Sequence, residues 1–333
     1  MERIIAIVVS HNRHAMLVQA IEAIRNQTVQ PHDILVVNNG SADFTSVWLD
    51  KQKDIIQITQ ENKGSAGGYH TGMAWAHKQN YSWLWCMDDD SYPANDALER
   101  LLDYTKYNST ISLLNSSVIN KTDNSRFVWS TAGCERVDQV RDLYVRGEAF
   151  PFNGTLIHRS IVDRVGLPLS QLFFWGEERE YLNRIKYKHK IPTVTVMNSR
   201  HYHPSATYSH RNEWDYQTSW KMYFFVRNRY QVLLSKYNNR FVATAKYLYY
   251  LAAFCWSIVI FQNKNKLRKM LFAAWPMMDA FRGNYSATPE TVIASLKRKK
   301  ELSIPSLLLW PLRSWIIRSF MPVSVSQTEP LAY

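Results

Sequence analysis

From residue 3 to residue 90, short β-rich apolar runs alternate with segments of helical periodicity, and that alternation restricts the chain to a layered α/β fold. "RIIAIVVS" (3–10) is a strand that passes through "HNR" into "HAMLVQAIEAIRNQ", whose apolar residues recur at helical spacing. "DILVVN" (33–38) is a second strand ending in the turn "NGSADFT", and "IIQITQ" (55–60) is a third. "GGYHTGMAWAHKQ" (67–79) is a helix opened by glycines, and "SWLWCM" (82–87) is a fourth strand. Strands joined through helices pair in parallel, and ligands of such sheets sit at the carboxyl ends of the strands. "SHNR", "NNGS" and "DDD" each follow directly on a strand, so a single pocket on one sheet edge is expected to collect all three.

The fourth strand delivers Asp88, Asp89 and Asp90 straight out of apolar residues. Adjacent like charges repel most where water is scarce, so a cation or strongly polar ligand is expected among them. In extended backbone alternate side chains share a face, which lets Asp88 and Asp90 converge while Asp89 points elsewhere. Two hard oxygen ligands aimed at one point suit Mg²⁺ or Mn²⁺, an ion that bridges protein to phosphates. No GxGxxG follows the first strand, so the dinucleotide fingerprint is missing. "KGSAGGYHTG" places Gly64, Gly67, Gly68 and Gly72 at a helix entrance, where backbone N–H groups can approach a diphosphate or a sugar. Glycines at that spacing also serve close helix–sheet packing.

Past residue 110 the pattern turns mixed. "NSRFVWSTAG" and "YVRGEAFPFNGTLIHRS" read as strands and turns, and "GEEREYLNRIKYKHK" (176–190) reads as a helix. After about residue 211 aromatic, basic helices take over, giving an expected catalytic domain over 1–210 and a helical region over 211–333. The net charge of +12 is concentrated there: residues 179–318 hold 24 Lys and Arg against 6 Asp and Glu. The bases are interleaved with Trp, Phe and Leu in "NKLRKMLFAAW" (265–275) and "LLLWPLRSWIIRSF" (307–320), a pattern that suits an anionic membrane surface better than nucleic acid. Amphipathic helices with solvated basic faces share the pattern. The apolar stretch from Tyr247 to Phe261 is 15 residues long, short of the roughly 20 that span a bilayer, which predicts no transmembrane helix. Three dispersed cysteines, no CxxC pair and no cleavable leader predict a reducing, cytoplasmic setting. The 12 Trp and 19 Tyr are more than a plain soluble core needs, so rings are expected at a ligand or an interface.

"IIAIVVSHNR", "ILVVNNGSADFT", "ENKGSAGGYHTG", "WLWCMDDDSYP", "FNGTLIHRSIVDRVGLP" and "FFWGEEREY", taken in order, resemble the family 2 inverting glycosyltransferases of GT-A fold, over about residues 1–230. The match is nearest the bacterial galactofuranosyltransferase and rhamnosyltransferase branch. The resemblance implies a mixed, Rossmann-like sheet that binds a nucleotide sugar, with Ser10, Asn12, Arg13, Asn38, Asn39, Gly67, Gly68, Asp88 and Asp89 on the donor. Asn38 stands where the family commonly has Asp; its amide hydrogen-bonds a pyrimidine edge without supplying charge.

Asp88 and Asp90 correspond to the family's ligands for Mn²⁺ or Mg²⁺, which offsets charge on the departing nucleoside diphosphate. Relatives often add a histidine after a following strand, and "NSRHYHP" offers His201 and His203, of which His203 is favoured by its place before Pro204. Inversion needs a base opposite the leaving group. "WGEERE" supplies Glu177 and Glu178 at a helix start, and the family pattern puts the base on Glu178, with Glu in place of the commoner Asp. Trp175 is placed to stack on an acceptor sugar, with a core position as its alternative. Arg227 and Arg229 of "FVRNRY" offer phosphate contacts or solvated charge.

The implied reaction moves a sugar, galactofuranose from UDP-galactofuranose or rhamnose from dTDP-rhamnose, to a hydroxyl of a bacterial polysaccharide or lipid-linked glycan at the inner face of the cell membrane. A nucleotidyltransferase would show a glycine-rich basic signature after the first strand, which "SHNRHAM" lacks. A non-catalytic, basic membrane-binding module is the reading outside catalysis.

Overall fold

The structure is a computed structural model that describes residues 2–298 except 109, 111, 205–211 and 217, so the motif at 307–320 lies outside the described residues. The chain divides into two compact units, Met1–Phe173 with Glu177–Ala206 and Phe174–Gly176 with Thr207–Tyr333.

The first unit begins with strand β1 (Ile4–Ser10), helix α1 (His14–Arg25), β2 (Asp33–Asn39), α2 (Thr45–Leu49), β3 (Ile55–Gln60), α3 (Gly64–Lys78) and β4 (Trp83–Asp88). It continues with the two-residue β5 (Tyr92–Pro93), α4 (Ala97–Tyr107), β6 (Leu113–Asn120), β7 (Arg126–Thr131), β8 (Cys134–Arg136) and β9 (Tyr144–Arg146). β10 (Asn153–His158), α5 (Arg159–Val165), α6 (Glu177–Asn183), a π-turn over Arg184–Lys188 and β11 (Thr193–His203) complete it. The central sheet runs in the order β3-β2-β1-β4-β10-β6-β11-β5.

β1 is parallel to β2 and β4, and β2 to β3, as the sequence predicts, while β10 inserts antiparallel to both β4 and β6. The sheet is therefore mixed. Both faces are covered, which is why the early strands are apolar throughout rather than alternating. On one face Ala6, Val8, Val36, Trp85 and Met87 pack with Leu17, Ile21 and Ile24 of α1 and Leu98 and Leu101 of α4. On the other, Ile5, Ile7, Leu35, Val37, Leu84 and Cys86 pack with Tyr69, Met73 and Ala76 of α3. The period of two along β4 sends Asp88 to the α3 side, the same side as Leu84 and Cys86.

The second unit contains α7 (Lys221–Tyr237), α8 (Arg240–Phe261), α9 (Lys266–Arg282) and α10 (Pro289–Arg298). Asn239 caps α8 through its side chain, accepting from the backbone N–H of Phe241 at 2.9 Å and of Val242 at 3.2 Å. The sequence reading began the apolar segment at Tyr247, but the cap starts the helix at Arg240. The result is a helix of 22 residues with mean hydropathy 1.3, long and apolar enough to cross a membrane by length and composition, so the length argument against a span does not hold. Arg227 is fully buried in α7, its guanidinium 4.9 Å from the Tyr285 ring and 4.8 Å from that of Phe224, instead of reaching solvent or a phosphate.

Candidate active site

β1, β2 and β4 end side by side, and their carboxyl-terminal loops interlock. Ser10, Asn38, Asn39 and Asp89 are all buried. The backbone N–H of His11 donates to Asp89 Oδ2 at 3.3 Å, and the His11 ring contacts the carbonyl of Asn39 at 2.9 Å. Asn12 takes a left-handed backbone (φ 54°), and its side chain accepts from the N–H of Ala42 at 2.7 Å. Asn38 donates to Ser46 Oγ at 2.8 Å and accepts from the N–H of Ser41 at 3.1 Å. Asn39 holds the carbonyl of Gly64 at 2.9 Å. Both amides thus brace the loops at these strand ends.

The three aspartates split as expected, although β4 ends at Asp88, and Asp89 and Asp90 lie in a turn rather than in extended strand. Asp89 turns to Arg13, whose Nη1 donates to Asp89 Oδ1 at 3.0 Å and to Asp90 Oδ2 at 2.7 Å. Asp88, Asp90 and His203 face one another, with one potential ligand atom from each lying within 4.8 Å of the others. Asp90 Oδ1 is buried, accepts no hydrogen bond and lies 3.7 Å from His203 Nε2. Burial lowers the pKa of His203 and so favours its neutral, ligating form, against the opposing pull of Asp90. Two carboxylates and a neutral imidazole fit a divalent cation.

Burial, then the charge of Asp90, lifts the pKa of Asp88 well above the carboxylate range, while a 2.7 Å hydrogen bond from Tyr69 opposes the rise. Such a carboxylate requires a positive partner to ionise. His201, the alternative ligand, is fully buried on β11 with Nε2 2.8 Å from Ser91 Oγ, and burial pushes its pKa down to about 3. The structure therefore brings His203, not His201, to the aspartates.

Glu177 and Glu178 open α6. Glu177 is buried, accepts a short hydrogen bond from Ser65 Oγ, and has its pKa pushed up to about 7 by burial. The charge of Glu178 contributes to raising Asp88, so the second glutamate is electrically in touch with the aspartates. A cation site, a set of polar loops and a carboxylate pair in one unit are the parts that transfer of a phosphate-activated group requires.

The family model for glycosyl transferase family 2 matches residues 5–166, the stretch that carries these strand ends and the aspartates. The chain carries a glycosyl transferase family 2 domain. The glycosyltransferase is 29% identical over 220 residues to galactofuranosyltransferase GlfT1 of Mycolicibacterium smegmatis, covering 62% of this chain and 72% of that protein. It is 27% identical over 218 residues to the GlfT1 of Mycobacterium tuberculosis strain H37Rv, covering 62% and 71%. Among solved structures it resembles mannosyltransferase PcManGT of Pyrobaculum calidifontis in complex with GDP-Man and Mn²⁺, at TM-score 0.50 and 15% identity over 94% of this chain and 82% of that one. It also resembles residues 1–349 of S. aureus TarS in complex with UDP, at TM-score 0.50 and 12% identity over 90% and 92%. At those identities the likeness speaks for the fold, a GT-A type mixed α/β sheet.

Two glycines of the glycosyltransferase sit in close contacts. A Cβ on Gly68 would lie 2.3 Å from Val9 Cγ1, and one on Gly67 2.3 Å from Lys63 Cβ. Both glycines thus serve close packing of α3, onto β1 and onto the residue that precedes the helix. Trp175 belongs to the second unit, where its ring stacks on Phe174 at 5.1 Å and meets Phe225 edge-on at 5.8 Å.

Tyr69 and Ser65 were missed in the sequence, although both lie inside the quoted "KGSAGGYHTG" motif. Their signal is helical spacing: they sit four apart, on the side of α3 that meets β4 and α6.

Proposed function

We propose that the glycosyltransferase moves galactofuranose from UDP-galactofuranose, with inversion, to a hydroxyl of a bacterial polysaccharide or lipid-linked glycan, using Mn²⁺ or Mg²⁺. The observation that carries this reading is the convergence of Asp88, Asp90 and His203 beside the α6 glutamates, in a chain whose curated relatives are named galactofuranosyltransferases. The nitrogen in the ligand set favours Mn²⁺ over Mg²⁺, which prefers oxygen throughout. When bound, the cation supplies positive charge for the leaving diphosphate.

Asp88, Asp90 and His203 would hold the cation. Arg13, Ser10 and Asn12 at the end of β1, with Asn38 and Asn39 as braces, would shape the nucleotide pocket. Glu178 is the base that takes the proton from the acceptor hydroxyl, because Glu177 is committed to Ser65 and buried. Trp175 is the proposed acceptor platform.

The basic helical unit is proposed to meet an anionic membrane at its cytoplasmic face. The support is a stripe on α8 where Phe241, Leu248, Tyr249 and Trp256 are 87%, 50%, 75% and 50% exposed, interspersed with Arg240 and Lys246.

The test is a panel of nucleotide sugars with Mn²⁺, reading release of nucleoside diphosphate. UDP-galactofuranose is expected to dominate, and Asp90→Ala is expected to lower turnover by about 10²–10³-fold with an unchanged circular dichroism spectrum. A dominant signal from another donor overturns the donor assignment. Full turnover by Asp90→Ala overturns the cation assignment.

A further inference from the structure

Arg13 stands at the mouth of the acidic site with its side chain 47% exposed, yet its Nη1 serves two carboxylates at once, Asp89 Oδ1 at 3.0 Å and Asp90 Oδ2 at 2.7 Å. Asp90 is thereby shared. One oxygen holds the guanidinium, and the other, buried and without a hydrogen bond, faces His203 in the cluster with Asp88. A cation in that cluster and the charge on Arg13 would draw on the same carboxylate and repel one another through it. The loop does not depend on the pair for its shape. His11 N–H binds Asp89, Asn12 N–H binds Ser41 Oγ at 3.0 Å, and the Arg13 carbonyl accepts from the N–H groups of Met16 and Leu17, each at 3.0 Å. The side chain is thus the movable part. Its planar fork, half in solvent, is the group best suited to accept a diphosphate.

We propose that Arg13 is an internal competitor for the cation: it balances the aspartates while the site is without metal, and passes to the donor's diphosphate when the cation enters. The inference rests on the cation reading above. It makes Arg13 a positioning residue that couples two ligands, holding down the affinity of the free protein for the ion and raising it once a diphosphate is present to receive the guanidinium.

The experiment is a titration of the full chain with Mn²⁺, the free ion read by electron paramagnetic resonance, with and without UDP, for the parent, Arg13→Gln and Arg13→Lys. Arg13→Gln is expected to bind Mn²⁺ alone about five- to tenfold more tightly, and to lose a similar factor from the enhancement that UDP gives. Arg13→Lys keeps the charge without the fork and is expected to fall between the two. Mn²⁺ affinity unchanged or weakened in a folded Arg13→Gln overturns the proposal. If that variant does not fold, Arg13→Lys decides, and parental affinity with full enhancement by UDP overturns it. A parent chain that binds no Mn²⁺ at all sinks the cation reading itself, a result distinct from a parent that binds and a variant that does not differ.

Discussion

At the scale of single residues the site is defined by carboxylates held where water is scarce. Glu177 makes this measurable. Its pKa of about 7 lies above the value for an unfolded glutamate, so between roughly pH 4.5 and pH 7 the folded state binds the extra proton and stability falls as pH rises. In chelator-treated protein Glu177→Gln is expected to flatten that decline and to raise stability by about 1–3 kcal/mol at pH 8, read by urea unfolding across the pH range. An unchanged slope would mean that the carboxylate is ionised at little cost. Glu178→Gln, by contrast, is expected to leave stability nearly unchanged and to lower kcat by about 10²–10⁴-fold, the range of a missing general base.

How legible these roles are in the sequence depends on distance along the chain. Asp90 meets Asp88 through a turn at 89–90 rather than by strand alternation, but the place of the aspartates behind a buried strand follows from the apolar run "WLWCM". The choice of His203 over His201 does not, because it rests on Ser91 filling the space beside His201. The hydrogen bonds of Tyr69 and Ser65 also depend on which strand end lies under α3, a tertiary fact that no local pattern carries.

Among the elements, α3 is closely packed at its start. Gly64 has φ +69°, and a Cβ there would come within 1.9 Å of the carbonyl oxygen of Phe173. Neither the backbone angle nor the neighbour can yield cheaply, so Gly64→Ala is expected to destabilise the protein by about 2–4 kcal/mol, lowering its melting temperature by several degrees. A melting temperature within a degree of the parent's would show that the Phe173 segment moves aside. At this scale β1 to β4 and their helices are readable because each is a local pattern: period two or unbroken apolarity in the strands, i, i+3, i+4 spacing in Leu17, Ile21 and Ile24. β10 is not, since its antiparallel insertion between β4 and β6 is a matter of partners far away in sequence. α8 was read too short because its first residues, Arg240 to Lys246, mix charge with apolar side chains, and only the Asn239 cap marks the true start.

At the scale of the whole molecule the uneven charge, +12 in total with the excess over residues 179–318, sets the encounter with partners. If the helical unit docks on an anionic bilayer, binding to phosphatidylserine vesicles should weaken steeply as salt rises, since exposed charges are screened within about 8 Å at 0.15 M. Tyr249→Glu combined with Trp256→Glu should reduce it by about tenfold or more at constant salt. Cosedimentation that ignores both changes would leave the stripe on α8 without that role.

One small element ties the two halves of the acidic cluster together. β5, only Tyr92 and Pro93, pairs with Tyr202 and His201, tying the segment just after Asp90 to the end of β11. On a ribosome the aspartates emerge long before His203 does. Until β11 is made, Asp88 and Asp90 lack the histidine that faces them in the folded unit. The three facing groups therefore come together only once β11 has been made and paired, more than a hundred residues of chain after the aspartates.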